Sequence, residues 1–195
     1  MKRQIRNKWL PGGALILLLA LSTLVLLWPD PPAPSIQSAG DAALRQLLRL
    51  KLVDAKQKTI DLAAWQGRIR VINLWATWCA PCKEEMPAFS RLQEMFPDAQ
   101  FVGIAVDTAD NVREFSEKHP VSYPLPMGGD NVLALTRELG NPHMSLPFTL
   151  VVSGEGQLLA RKSGRFAEAE LAALLRRLTP NALPVSPSTD RERNG

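Results

Sequence analysis

The chain has 195 residues, 46% hydrophobic and 22% charged, enough for one packed domain with extensions and too apolar for wholesale disorder. Two cysteines and two histidines exclude a disulfide-rich scaffold and a zinc fold with standard four-ligand spacing. The formal charge of +4 sits in the first eight residues, where Lys2, Arg3, Arg6 and Lys8 stand without an acid; the remainder is balanced, so no nucleic-acid partner is expected.

Residues 1–9 form a basic segment, and Leu10–Trp28 follows without a formal charge. At about 1.5 Å per residue that run spans roughly 28 Å, close to a hydrocarbon core. Trp9 and Trp28 bracket it at interface depth, and the positive flank places the N-terminus in the cytoplasm. The expectation for 10–28 is a transmembrane anchor. A cleaved signal peptide competes, but its apolar core usually runs about 7–15 residues, and the best small-x-small site, Ala33-x-Ser35, lies among prolines. Residues 29–40, with Pro29, Pro31, Pro32 and Pro34, read as an extended linker. Residues 41–179 are expected to be the folded domain. Residues 180–195, with Pro180, Pro184 and Pro187 among small and polar residues, read as a disordered tail.

Within the domain, Asp41 is a candidate cap for a helix through about Leu50. Leu50–Val53 and Lys58–Ile60 predict short strands around a turn, and Asp61 caps a turn through Trp65. Arg68–Ala76, RIRVINLWA, predicts a central strand buried on both faces. Pro81–Phe96 predicts a helix with Pro87 as a kink, and Phe101–Val106 a second buried strand. Asn111–His119 and Asn131–Leu139 predict helices, the first with Asp110 as its cap and the second ended by Gly140. Phe148–Val152 and Leu158–Lys162 predict a hairpin across Gly154-Glu155-Gly156, and Ala167–Leu178 a last amphipathic helix. This order describes an α/β fold with a mixed sheet and helices on both faces.

Both cysteines lie in Trp78-Cys79-Ala80-Pro81-Cys82, between the end of a buried strand and the start of a helix. A helix N-terminus offers unpaired N–H groups and partial positive charge, which favour a thiolate. Cys79 is then the exposed nucleophile and Cys82 the buried resolving thiol, the two cycling through a Cys79–Cys82 disulfide. Pro81 suits the first helical turn. A purely structural disulfide would close too short a loop to constrain much entropy. Haem attachment needs a His where Lys83 stands, and His119 and His143 lack zinc-ligand spacing.

The stretch Trp75-Ala76-Thr77-Trp78-Cys79-Ala80-Pro81-Cys82-Lys83-Glu84-Glu85-Met86-Pro87 resembles the active-site signature of the TlpA/ResA/CcmG (DsbE) group of membrane-anchored thioredoxin-like proteins, over about residues 48–178. The resemblance implies a thioredoxin-like fold, an extracytoplasmic domain and no cofactor or metal. It also implies that Pro147, in Leu146-Pro147-Phe148-Thr149, is cis and faces the disulfide, leaving the Leu146 backbone to pair with a substrate peptide. Glu85 matches a glutamate the group often carries near its cysteines, so it either relays a proton or, like Glu84, merely favours the helix dipole and faces water. Asp107 falls where some members have a carboxylate; it either serves the Cys82 proton or ends a strand. Cytoplasmic-type thioredoxins carry a buried Asp six residues before the first Cys. Here that residue is Asn73, which cannot take up a proton, so that relay is absent or relocated. Trp75 and Trp78 are expected as core and active-site wall, and His119 and His143 at a helix end and on a loop.

The function these expectations describe is a thiol–disulfide oxidoreductase tethered to the inner membrane, with its catalytic domain periplasmic or extracytoplasmic. By resemblance, it reduces disulfides of selected client proteins, in cytochrome c maturation or copper-site assembly, and is re-reduced by a transmembrane electron donor of DsbD/CcdA type. A dithiol module that binds copper or an apoprotein without turnover, and an oxidant that makes disulfides, are the alternatives.

Overall fold

The computed structural model describes residues 36–179. The basic segment, the expected anchor, most of the linker and the tail lie outside the described residues. Among the described residues no helix is long and apolar enough to cross a membrane.

The elements in chain order are α1 (Ile36–Leu48), β1 (Lys51–Asp54), β2 (Thr59–Asp61), a 3-10 turn (Leu62–Trp65), β3 (Ile69–Trp75), α2 (Ala80–Met95), β4 (Ala99–Ala105), α3 (Ala109–Lys118), β5 (Pro126–Met127), α4 (Gly129–Leu135), β6 (Phe148–Val152), β7 (Leu158–Ser163) and α5 (Glu168–Leu178). The seven strands form one sheet in the order β2-β1-β5-β4-β3-β6-β7. Strand β3 lies parallel to β4 and antiparallel to β6, which gives the expected mixed sheet.

Side chains alternate along a strand, and β3 and β4 use both sets. Val71, Trp75 and Phe101 enter one apolar layer with Phe89 and Leu92 of α2, Val112 of α3 and Leu171 and Leu175 of α5. Ile72, Leu74, Val102 and Ile104 enter the other, with Leu44 and Leu47 of α1 and Val132 of α4. Asn73 is the one polar residue in the middle of β3 and it points to the α2 side, in step with Val71 and Trp75. Gly103, paired with Asn73 across β3 and β4, makes room there for the Trp75 indole. A Cβ at Gly103 would lie 2.6 Å from Leu125 Cδ2 and 3.1 Å from Trp75 Nε1.

Several boundaries differ from expectation. Helix α1 begins at Ile36, so Asp41 lies inside it rather than capping it. Asp61 does cap the 3-10 turn, accepting from the Ala63 N–H. Helix α2 runs through Pro87, which is exposed. Thr108, not Asp110, caps α3 by accepting from the Asn111 N–H; Asp110 sits in its first turn. The second helix of that pair ends at Leu135, and the chain continues in turns to Gly140 at φ +94°. The two-residue β5 has no strand signature between Pro124 and Gly128. It is formed by pairing with β4 through Ala105 and with β1 through Val53 and Asp54.

Candidate active site

Strand β3 ends at Trp75, and the turn Ala76–Cys79 delivers the first cysteine to the N-terminus of α2. Cys79 is the N-cap of this sixteen-residue helix and its sulfur accepts the Cys82 N–H at 3.3 Å. The Cys79 carbonyl accepts the Lys83 N–H at 3.2 Å. The sulfur thus takes the place of the oxygen that usually satisfies a free N–H there. Cys79 and Cys82 are joined as a disulfide. Cys79 retains 5% exposure and Cys82 none, so the first sulfur is the reachable one, although more covered than the sequence suggests. Ala80 and Pro81 are exposed beside it. Trp78 is 68% exposed and stands at the rim, whereas Trp75 is buried with its Nε1–H donating to the Gly103 carbonyl at 3.2 Å.

The Leu146–Pro147 peptide bond is cis, as the resemblance implies. Pro147 is buried, and its carbonyl accepts the Gly164 N–H at 2.9 Å. Among the described residues neither backbone group of Leu146 has a backbone partner, so both are available to an extended peptide. The loop leading there is held by a residue the sequence did not single out. Asn141, buried, accepts the Ser145 N–H at 2.9 Å and hydroxyl at 3.0 Å through Oδ1. Its Nδ2 donates to the Ser145 carbonyl at 3.0 Å and to Thr136 Oγ1 at 3.1 Å. His143 is exposed on this loop. His119 is the C-cap of α3, its ring 4.7 Å from that of Phe115.

The two expected carboxylates have separate surroundings. Glu85 does not face water: it is 1% exposed, three residues after Cys82 and therefore on the same side of α2. Its Oε1 accepts from Asn73 Nδ2 at 2.8 Å, and its Oε2 accepts the Phe166 N–H at 2.9 Å. Burial pushes its carboxyl up to about 7, against hydrogen bonds from Phe166 and Asn73 and the attraction of Arg165. Glu84 does face water, with Arg165 Nη1 donating to its Oε2 at 3.2 Å.

Asp107 is a clamp on the turn after β3. Its Oδ2 accepts the Thr77 N–H at 2.9 Å and hydroxyl at 2.5 Å. Its Oδ1 accepts the Thr108 N–H and Asn111 Nδ2, both at 2.7 Å. Partial burial alone would raise this carboxyl, but the bonds from Thr77, Asn111 and Thr108 outweigh it and hold it below the ordinary range.

Asn73 is therefore not just the loss of a carboxylate. Its Nδ2 donates both to Glu85 and to Thr149 Oγ1, the latter at 3.0 Å, so Asn73 holds the α2 carboxylate in place. Thr149 belongs to the quoted Leu146–Thr149 stretch, but its role was not legible there. Tyr123 was missed as well. It is buried, its hydroxyl has no partner among the described residues, and burial with the nearby charge of Glu85 raises its phenol. Among the described residues no cluster of His, Cys, Asp and Glu is placed to hold a metal.

Residues 40–161 match the model of the AhpC/TSA family. The thiol-disulfide oxidoreductase ResA of Bacillus subtilis is 24% identical over 183 residues, covering 92% of this chain and 97% of that protein. The thioredoxin-related protein from Neisseria meningitidis serogroup B superposes with a TM-score of 0.58 at 32% identity, over 67% of this chain and 99% of that one. MTB dsbF, in its mixed oxidized and reduced forms, superposes with a TM-score of 0.59 at 24% identity, over 68% and 97% of the two chains. With a thioredoxin-like sheet, a Cys-x-x-Cys pair at the head of α2 and a match over most of the domain, the chain belongs to the AhpC/TSA family as a thiol–disulfide oxidoreductase.

Proposed function

We propose that the protein reduces disulfides of selected client proteins outside the cytoplasm, with Cys79 as nucleophile, Cys82 as resolving thiol and Glu85 as acceptor of the Cys82 proton. The observation that carries this is the Cys79 sulfur at the N-cap of α2, accepting the Cys82 N–H. That site lowers the cost of a thiolate on the more exposed sulfur.

In the dithiol form, the Cys79 thiolate attacks one sulfur of a client disulfide. A Cys79–client bond forms, the client S–S bond breaks, and one client sulfur leaves as thiolate. Glu85 takes the proton of Cys82, whose thiolate attacks the Cys79 sulfur. The Cys79–Cys82 bond forms and the second client sulfur leaves. The client gains two electrons and the protein is left oxidised. Leu146 offers its backbone to the client as an added strand, while Trp78 and Pro147 border the approach to the sulfur. Asp107 fixes the turn below Thr77 and does not handle the proton.

A dithiol donor must then reduce the protein again, and a transmembrane carrier of DsbD/CcdA type supplies that chemistry. The apolar run 10–28 with its cationic flank supports a membrane tether with the domain outside the inner membrane. Client cysteines of an apocytochrome c or of a copper-receiving protein are the substrates in this reading.

The test is reduction of a peptide disulfide by the full chain in the presence of a thiol donor, with Cys79→Ser as control. The proposal expects the variant to fall to background. Equal rates for the two proteins would defeat it.

A further inference from the structure

We infer that Asn141 is a positioning residue that makes the protein select disulfides carried on an extended peptide over small disulfides without one, by aiming the Leu146 N–H at the client backbone. The inference rests on the disulfide reduction and the added client strand proposed above, and deepens them by naming what orients the receiving residue.

The segment from Pro142 to Leu146 has no helix or strand of its own, and Pro142, His143 and Ser145 are exposed. Among the described residues, Asn141 is the partner in all its hydrogen bonds. The Ser145 N–H, hydroxyl and carbonyl all end on the Asn141 side chain, at 2.9, 3.0 and 3.0 Å. The Met144 N–H donates to the Asn141 carbonyl at 2.9 Å. Met144 lies at φ +51°, in the left-handed region that a residue with a side chain keeps only when its surroundings impose it. On its other side Asn141 is anchored in the interior, itself 1% exposed and its partner Thr136 0%. The Asn141 N–H donates to the Thr136 carbonyl at 2.9 Å, and Nδ2 donates to Thr136 Oγ1 at 3.1 Å. One residue thus ties an exposed loop to the buried turn after α4.

That tie reaches Leu146 through a single peptide unit. The cis bond among the described residues is Leu146–Pro147, so the Ser145–Leu146 unit is trans and planar. Its two polar groups, the Ser145 carbonyl and the Leu146 N–H, point in opposite directions. By holding the carbonyl, Asn141 Nδ2 turns the Leu146 N–H away from itself. The Pro147 carbonyl is held in turn by the Gly164 N–H at 2.9 Å, and the Leu146 side chain packs against both apolar layers. Leu146 is fixed on both sides, while its own N–H and carbonyl have no backbone partner among the described residues. A receiving residue already set in place lowers the ordering cost of an added strand. A small disulfide has no backbone to pair and gains nothing from it.

The experiment assays the full chain, with a thiol donor, on insulin and on bis(2-hydroxyethyl) disulfide, which has no amide. The readout is the ratio of kcat/KM for insulin to that for the small disulfide. In Asn141→Ala the ratio is expected to fall about tenfold, through a raised KM for insulin with kcat retained. Thr136→Val keeps the shape and removes one anchor of the amide, so it should lower the ratio less, and Thr136→Ser should restore it. An unchanged ratio in Asn141→Ala overturns the inference, whether both rates hold or both fall together.

A second measurement leaves Asn141 in place. Amide hydrogen exchange in the wild-type chain is expected to show a protected Ser145 N–H beside a fast Leu146 N–H. Leu146 should become protected once a peptide disulfide is trapped on Cys79 in the Cys82→Ala chain. A Ser145 N–H that exchanges as fast as Leu146 overturns the clamp, and a Leu146 N–H that stays fast in the adduct overturns the added strand and the inference with it. A wild type inactive on both disulfides would remove the proposed function and this inference together; an active wild type with an unchanged ratio in Asn141→Ala would remove only this inference.

Discussion

Glu85 and Asp107 are the same chemical group placed in two kinds of site, and they move in opposite directions. Glu85 sits on the buried side of α2 with two donors and almost no exposure, and desolvation decides its behaviour. Asp107 sits at the end of β4 with four donors, and the hydrogen bonds decide. A carboxylate whose pKa is lifted to about 7 can exchange a proton near neutrality. One held below its ordinary range stays ionised and fixes the backbone around it. The number of donors relative to burial therefore separates a carboxylate that titrates near neutrality from one that stays ionised and clamps a turn.

Glu85→Gln is the largest test of that contrast. It keeps the shape and removes the titration, so disulfide reduction near pH 7 is expected to fall by on the order of a hundredfold, with loss of an inflection near pH 7 in the rate profile. The same variant has a stability signature. The folded protein holds the Glu85 proton more tightly than the unfolded chain, its carboxyl lying at about 7 rather than at the ordinary 4.5. Stability from this group is fully present below the lower value and is lost as pH rises through the upper one, by roughly 3 kcal/mol as an order of magnitude. Chemical denaturation across pH 4–8 should show that downward slope in the wild-type disulfide form and a flatter one in Glu85→Gln.

Asp107→Asn breaks the other half of the comparison. The amide oxygen can keep two of the four bonds without the charge, and the amide NH2 faces donors in place of the other two, so the expected cost is about 1–3 kcal/mol, with exchange activity changed by no more than a few-fold (~3). Because the Asp107 pKa is lowered from 3.8, its stabilisation is present above that value and lost as pH falls through the lower folded one. Acid unfolding should therefore be shallower in the variant, read by circular dichroism. A collapse of activity as deep as that of Glu85→Gln would erase the distinction between the two sites.

Arg165→Ala gives the smallest effect. Its ion pair with Glu84 is more than half exposed on both sides, and such pairs contribute ~0.2–1 kcal/mol. Removing the cation also removes an attraction that favours ionised Glu85, so the inflection of the rate profile should move slightly upward. A downward movement would mean that Arg165 acts on the chamber by another route.

Much of this molecule is legible in its sequence. The buried strands β3 and β4, the cysteine pair at a helix start and the cis proline all follow from local chemistry or from a motif of a few residues. Asp61 as a cap was legible for the same reason. The chamber around Glu85 was not, because it is assembled across the chain. Asn73 lies twelve residues from Glu85 and seventy-six from Thr149, and the Phe166 N–H is a backbone donor, eighty-one residues away, with no side-chain signature. Asn73 was visible as a departure from cytoplasmic-type thioredoxins, but its partner was not. Alternation along RIRVINLWA places Asn73 on the same face as Val71 and Trp75, and that was the available signal that it turns toward α2. Strand β5 depends on tertiary pairing with β4 and β1, which overrides weak local preference.

The most direct test of the exchange chemistry is to trap its intermediate. In the Cys82→Ala full chain, Cys79 can attack a client disulfide but nothing resolves the product. The account predicts a stable one-to-one mixed disulfide through Cys79, seen by mass spectrometry as an adduct that a small thiol removes. An unmodified protein after incubation with a reactive peptide disulfide, with the Cys79 thiol still free, would contradict it.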